Sequence, residues 1–359
     1  MLFQNPVFII LVTLSTFSPL YPADAETVFP GKTWEQATPE SQGVDSEKLE
    51  AAMEHLKSLV GNDGTSQTLI IRHGRIIWKG AHTDSVHNIF SCTKSITSIT
   101  VGLLVEDGVI ELDTPLSTFV PALKETYPEL TPRHCLTLTS GYQAEDNSYP
   151  FVPGEPLFKD GEKMRYGGEA LNMMSYALSQ AGGKPLSETF QARIAKPIGL
   201  GRYWAWGDFG LVDGVKVNNS SGSEFKGVHI SALKLARIGL LLLNEGSWNG
   251  KQLLSKEWIQ QASTPQSPAD IPLQDENGWY KVIQGAYGLG FWVNGIRADG
   301  KRLWPDAPDQ TFALQGNHNN ICFIIPEWDM VFIRLGTDKI IPNEGYTEVF
   351  ALLAKALIQ

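Results

Sequence analysis

Apolar residues along this chain repeat in two different rhythms, and the rhythm changes with position. Leu49, Met53, Leu56 and Val60 fall on one helical stripe behind Asp45, a residue suited to cap a helix N-terminus. Thr68 to Arg72 and Arg75 to Lys79 read as two strands joined by a tight His73-Gly74 turn. From Ser91 a long apolar segment places Ile96, Ile99 and Leu103 at helical spacing. It stops at Glu106-Asp107-Gly108, with glycine just past the helix end. Glu169 to Gln180 and the segment after Ser231, with Leu235, Ile238, Leu241 and Leu242, also carry the helical period. Near the end, Gly288 to Asn294, Ile321 to Ile325 and Met330 to Leu335 read as strands, the last two separated by Pro326-Glu327-Trp328-Asp329. A closing helix is predicted from about Gly345, with Tyr346, Val349, Phe350, Leu353 and Leu357 on its apolar side.

Both ends of the chain therefore supply strands and a helix, while the stretch from Ser91 to about Gly210 is helical and rich in loops. The simplest packing is an α/β fold of the α+β type. One antiparallel sheet is flanked by the N- and C-terminal helices, and a large helical insertion interrupts it. Residues 26–88 and 226–359 are expected to form the sheet part and 89–225 the helical part of one catalytic unit, with the Ser220-Ser221-Gly222-Ser223 loop marking the return.

Composition narrows the function classes. The chain has 359 residues, 42% of them hydrophobic and only 19% charged, enough to bury a large core. A formal charge of −10 with no basic run argues against a nucleic-acid partner. Met1 to Ala23 holds no charged side chain and Val7 to Leu20 is mostly apolar. Ala23-Asp24-Ala25 then offers a small-x-small cleavage site before Glu26. A signal peptide over residues 1–25 is expected, hence a periplasmic or secreted protein, although the n-region lacks Lys or Arg; an uncleaved anchor is the alternative. The apolar run is shorter than the ~20 residues of a spanning helix, so no stable membrane span is expected after cleavage. Three cysteines, Cys92, Cys135 and Cys322, give neither a disulfide framework nor a zinc spacing, and the seven histidines form no metal-binding pair. No metal and no cofactor are expected.

The candidate chemistry starts at Ser91 and Lys94. Three apart on a helix, the two side chains lie one turn from each other on one face. A lysine kept neutral by burial can take the serine proton and make the hydroxyl a nucleophile. The same spacing recurs at Ser223/Lys226, in a loop with no helix after it, and at Ser231/Lys234, where Ser231 reads as a helix N-cap. Tyr166, in Lys163-Met164-Arg165-Tyr166-Gly167-Gly168 before a helix, is the candidate proton shuttle. Taken alone, a tyrosine in such a place is more often a packing residue. The Ser91 N–H offers one oxyanion donor. Gln315-Gly316-Asn317-His318, just before a strand, offers the neighbourhood of another, with His318 lining the site or facing solvent.

These elements, in this order, resemble the serine β-lactamase and penicillin-binding-protein superfamily from about Trp34 to the C-terminus, in particular its class C-like esterase and 6-aminohexanoate-dimer hydrolase branch. Ser91-x-x-Lys94 matches its first motif, Tyr166-Gly167-Gly168 its Tyr-x-Asn position, and Gln315-Gly316 the surroundings of its Lys-Thr-Gly strand. Leu136-Thr137-Leu138-Thr139-Ser140-Gly141 is similar to its Leu-Thr-His-Thr-Ser-Gly turn, and Glu245 to Gly250 and Leu303 to Pro308 look like segments of that branch. The resemblance implies Ser91 as acylated nucleophile, Lys94 as its base and Tyr166 as shuttle, with the site between sheet and helical parts. Gly168 replaces the asparagine that holds a substrate amide, and no Lys-Thr-Gly cation is present near Gln315. Cleavage of a small-molecule ester, linear amide or peptide is therefore expected, with a β-lactamase or DD-peptidase as the alternative within the class. A catalytically silent cell-wall peptide-binding protein is the alternative outside it. Trp204, Trp206, Trp292 and Trp304 are candidates to line an apolar acyl site or to pack in the core.

Overall fold

The structure is a computed structural model that describes residues 27–358 except 147, 224–225, 277–278 and 339–340. The expected signal segment at 1–25 lies outside the described residues. The central sheet is six-stranded and antiparallel. Its strands are β1 (Gln67–Arg72), β2 (Arg75–Lys79), β3 (Trp292–Val293), β4 (Phe312–Gly316), β5 (Asn320–Ile325) and β6 (Met330–Leu335). Their order across the sheet is β3-β4-β5-β6-β1-β2, so the two ends of the chain meet at the β6–β1 pair. The His73-Gly74 turn joining β1 to β2 takes positive φ at both residues, the geometry that suits the twist of a tight hairpin.

The strands β5 and β6 are buried along their whole length, and the reason is visible on both faces. Phe323 packs its ring on Tyr346 and Phe350 of the C-terminal helix. On the opposite face, Cys322 and Val331 lie under Gly239 of another helix, where a Cβ would come within 2.7 Å of Val331. A sheet covered on both sides needs continuous apolar strands rather than alternating ones, which is what Asn320–Ile325 and Met330–Leu335 provide.

Among the described residues, five helices run for twelve or more residues: α1 (Ser46–Leu59), α2 (Cys92–Glu106), α3 (Glu169–Gly182), α4 (Ala232–Leu243) and α5 (Asn343–Ala356). Asp45 caps α1 by accepting from the Lys48 N–H at 3.0 Å, and α1 packs along α5. Thirteen residues of α2 are buried, Thr93, Ser95, Thr97 and Thr100 among them. Their hydroxyls are satisfied by neighbouring backbone. Ser95 Oγ donates to Gly290 O at 2.6 Å, Thr97 Oγ1 to Ser220 O at 3.2 Å and Thr100 Oγ1 to Ile96 O at 2.9 Å, while Thr93 Oγ1 accepts from Val228 N at 2.9 Å. These bonds let a hydroxyl-rich helix run through the core.

The structure departs from the sequence expectations in three places. The strand expected over Gly288 to Asn294 shrinks to β3, because Leu289 N and Gly290 N donate to Ala262 O and Leu136 O instead of to a neighbouring strand. The strand β4 was not anticipated, although it carries Gln315 and Gly316. The segment expected to be helical also contains an antiparallel hairpin of Asp208–Val212 and Val215–Asn218.

Candidate active site

Ser91 immediately precedes α2 as its N-cap residue, yet its side chain makes no capping hydrogen bond and is left for other work. Phe90, just before it, holds φ at +49°, a costly conformation for a bulky side chain. Its N–H donates to Asn88 Oδ1 at 2.9 Å, its carbonyl accepts from Thr93 N at 2.9 Å, and its ring lies 5.2 Å from that of His318. The chain therefore turns sharply into the helix and presents Ser91 at its mouth.

Lys94, one turn on, is 3% exposed. Its Nζ lies 3.1 Å from Ser91 Oγ and donates to the Ser221 carbonyl at 2.7 Å. Burial takes the amine from its ordinary value down to about 7. An amine that is neutral in a large fraction of molecules near neutrality, with one N–H directed at Ser221 O, has a lone pair free to accept the Ser91 proton. Ser221 was not foreseen as part of the site. Its carbonyl is set by a local network in which Asn219 Oδ1 accepts from Ser221 N at 3.2 Å and Gly222 N at 2.8 Å, and Asn172 Oδ1 from Ser220 N at 2.9 Å. The Asn219-Ser220-Ser221-Gly222 run was the signal, readable as a loop but not as a lysine partner.

Tyr166 is hydrogen-bonded to Ser91, and the face of its ring lies 4.9 Å from Lys94 Nζ. Burial pushes its hydroxyl up to about 12, against the pull of hydrogen bonds with Ser91 and Trp292. It is therefore a protonated hydroxyl at neutral pH, held against Trp292 and Tyr287 at ring distances of 6.0 and 6.4 Å.

From the sheet side, Gly316 ends β4 directly against Ser91. A Cβ at Gly316 would stand 2.3 Å from Ile89 O and 3.0 Å from Ser91 N. Asn317 begins the short turn that follows it, in which His318 and Asn319 take positive φ. The Ser91 N–H, at the N-cap of α2, lies outside that helix's hydrogen-bond ladder and can be offered to a ligand oxygen, and Asn317 borders the same cavity as Ser91.

Ser91, Tyr166, Trp292, Gln315, Gly316, Asn317 and His318 line one cavity of about 730 Å³, completed by Val282, Asn319, Ile341, Pro342 and Asn343. The other expected site residues fall elsewhere. Lys94 lies behind Ser91. Gly168 does not line the cavity; it precedes α3 with Ser221 packed on it, where a Cβ would meet Ser221 Cβ at 2.5 Å. Of the tryptophans, only Trp292 reaches the cavity. Trp304 is fully buried against Phe323, Trp206 donates its indole N–H to Asn219 O at 2.7 Å, and Trp204 meets Phe190 edge-to-face at 5.5 Å. The two other Ser-x-x-Lys pairs are not assembled as sites: Lys226 Nζ lies over the Phe209 ring at 4.6 Å and Lys234 Nζ over the Tyr203 ring at 5.5 Å. Ser231 precedes α4 as its N-cap residue. Among the described residues no cluster suited to a metal ion occurs, and no helix is long and apolar enough to cross a membrane.

Known proteins share this arrangement of chain. The 6-aminohexanoate-dimer hydrolase of Paenarthrobacter ureafaciens is 23% identical over 75% of this chain and 76% of its own. Esterase EstB of Burkholderia gladioli is 23% identical over 37% of this chain and 44% of its own. The crystal structure of a penicillin-binding protein homologue from Caulobacter crescentus superposes with a TM-score of 0.64 at 16% identity, covering 88% of this chain and 98% of that one. The Beta-lactamase family model matches residues 63–340, a span that runs from the start of the central sheet through Ser91, Tyr166 and Gly316 to its end. The chain belongs to the Beta-lactamase family.

Proposed function

We propose that this serine hydrolase cleaves an uncharged ester or linear amide through an acyl-enzyme on Ser91. The observation that carries the reading is the buried Lys94 amine, 3.1 Å from Ser91 Oγ and brought down to about 7. Neutral Lys94 takes the Ser91 proton as Oγ attacks the substrate carbonyl carbon. The developing oxyanion is received by the N–H groups of Ser91 and Asn317. The bond to the leaving group breaks, and the proton reaches that group through the Tyr166 hydroxyl. Water then attacks the ester on Ser91, gives its proton to the same pair, and releases the acid with Ser91 restored.

The substrate class follows from the lining. None of the described lining residues is Lys, Arg, Asp or Glu, while Trp292, Val282, Ile341 and Pro342 give the cavity an apolar wall. Gln315 stands where a cation would grip a β-lactam carboxylate, and Gly168 is packed on Ser221 rather than facing substrate. The names of the esterase and amide-hydrolase relatives support the same class. The expected result is a much higher kcat/KM for p-nitrophenyl butyrate than for nitrocefin, both lost in Ser91→Ala. Nitrocefin turnover equal to or above the ester rate would move the protein to the β-lactamases. Absence of any fluorophosphonate labelling at Ser91 would favour a silent binding protein.

Two further parts of the reading have their own support. The division into a sheet part (26–88 and 226–359) and a helical part (89–225) is supported by the pairing of His87–Asn88 with His229–Ile230, which sets the two chain crossings side by side. Export rests on the apolar Val7–Leu20 run and the Ala-Asp-Ala site. N-terminal sequencing of the mature protein should begin at Glu26, and an intact Met1 in a soluble cytoplasmic fraction would reject it.

A further inference from the structure

We infer that Arg334 is a positioning residue that holds the Asn317 N–H at the oxyanion site, an inference that rests on the acyl-enzyme reading above. Asn317 belongs to the turn between β4 and β5, and that turn has an unusual conformation. His318 and Asn319 take φ of +58° and +59°, two consecutive left-handed residues that are not glycine. Such a pair persists only where its surroundings enforce it.

The surroundings converge on one side chain. Arg334 is the penultimate residue of β6, in an otherwise apolar strand, and is completely buried. Its Nη1 donates to His318 O at 2.7 Å and its Nη2 to Asp338 Oδ1 at 2.6 Å. Asp338 is itself fixed, its Oδ2 accepting from Asp63 N at 2.7 Å, and its carbonyl lies 3.1 Å from His318 Nδ1. Asn320 adds a second tie, its Nδ2 donating to Asn317 O at 2.7 Å and to Gly336 O at 2.9 Å. Asn319 Oδ1 accepts from Ile341 N at 2.6 Å.

A charged side chain in a sheet interior is costly to bury and is matched here by a carboxylate. Its Nη1 bond goes to the peptide directly after the His318 α-carbon, one residue beyond the proposed oxyanion donor, while Nε has no hydrogen-bond partner among the described residues. Arg334 is not among the residues that line the cavity. Its effect on catalysis is therefore exerted through the direction of the Asn317 N–H, a group whose worth depends on sub-ångström placement.

The test compares wild type with Arg334→Met, Arg334→Lys and Asp338→Asn, using kcat and KM for p-nitrophenyl butyrate, the pH profile and inhibition by a boronic acid. Arg334→Met should lower kcat by about 10- to 100-fold with KM within about twofold. Boronic-acid affinity should fall in parallel with kcat, because the tetrahedral adduct uses the same donors. The acid limb of the pH profile should not move, since Lys94 is untouched. Arg334→Lys, which keeps the charge and one donor, should recover part of the loss. Asp338→Asn, isosteric and milder, should lower kcat several-fold and carries the test should the methionine variant fail to fold. A folded Arg334→Met or Asp338→Asn enzyme with wild-type kcat would overturn the inference, as would a loss carried by KM alone. A wild-type protein with no esterase activity, or a fully active Ser91→Ala, would instead bring down the acyl-enzyme reading and this inference with it.

Discussion

Gly316 lies so close to Ser91 that a methyl group on its α-carbon would stand 3.0 Å from the Ser91 nitrogen. Its φ of −135° is one that any residue adopts, so the neighbours rather than the backbone conformation demand glycine. The sheet thus reaches Ser91 by main chain alone, and the approach leaves no room for a side chain.

Gly316→Ala tests that approach directly. The added carbon also meets Ile89 O at 2.3 Å, so the strand end must shift. Ester kcat/KM should fall by about 100-fold or more, with a loss of about 1–3 kcal/mol of stability by urea titration. Unchanged kinetics in a folded variant would mean that the strand end plays no part in the chemistry.

Ser91→Ala should remove turnover by at least ~10⁴-fold. Ser231→Ala should stay near wild type, because Lys234 is directed at Tyr203. Ser223→Ala should lose only a few-fold, through its 2.8 Å contact with Ser221 Oγ. Equal losses in all three would deny Ser91 any special role.

The Lys94 amine should appear as an acid limb in kcat/KM centred near pH 7, activity rising as the amine loses its proton. Lys94→Arg cannot supply a neutral base and should lose ~10²–10⁴-fold without a comparable limb. Stability carries the same signature. The folded amine releases its proton at about 7 and the unfolded one at the ordinary lysine value, so the unfolded chain binds more protons between the two. Wild-type stability should therefore rise with pH across that window, and Lys94→Met should abolish the rise. A wild-type rate independent of pH from 5 to 9 would contradict a lysine base.

Tyr166→Phe keeps the ring against Trp292 and under Lys94 while removing the hydroxyl hydrogen-bonded to Ser91. It should fold normally and lose ~10²–10⁴-fold in kcat. Near-normal kcat would leave Tyr166 as a packing residue.

Gly168→Asn restores the family's asparagine, yet Ser221 Cβ occupies the space at 2.5 Å. Ester activity should fall, through displacement of the Ser221 carbonyl from Lys94, and nitrocefin turnover should not appear. A gain of β-lactam hydrolysis would show that the position does face substrate.

Much of this architecture could be read from local pattern. The Asp45 cap, the β1–β2 hairpin, the Gly108 stop of α2 and the strands β5 and β6 each follow from a few adjacent residues. The spacing of Ser91 and Lys94 is equally local, since a single helix turn sets it. What escaped depends on residues far apart in sequence. β4 is short, and Leu314-Gln315-Gly316 shows no clear period. The glycines at 288 and 290 resemble a strand end, but their backbone is recruited by a helix terminus and a turn. Ser221 acts by its carbonyl, which no residue type announces, and the fate of Gly168 was decided by a serine more than fifty positions away.

Ser91 and Lys94 ride on one buried helix, whereas the Asn317 amide arrives from a hairpin turn on the sheet. The proposed nucleophile and base are therefore locked at helical pitch, and no sliding between layers can change their separation. The oxyanion donors have no such guarantee. The stiff half of the machinery is chemistry already committed; the adjustable half is recognition of the strained carbonyl. Variation among related sequences that alters which acyl groups are accepted is accordingly expected around the 317–320 turn and at Ile341 and Pro342, while α2 stays as it is.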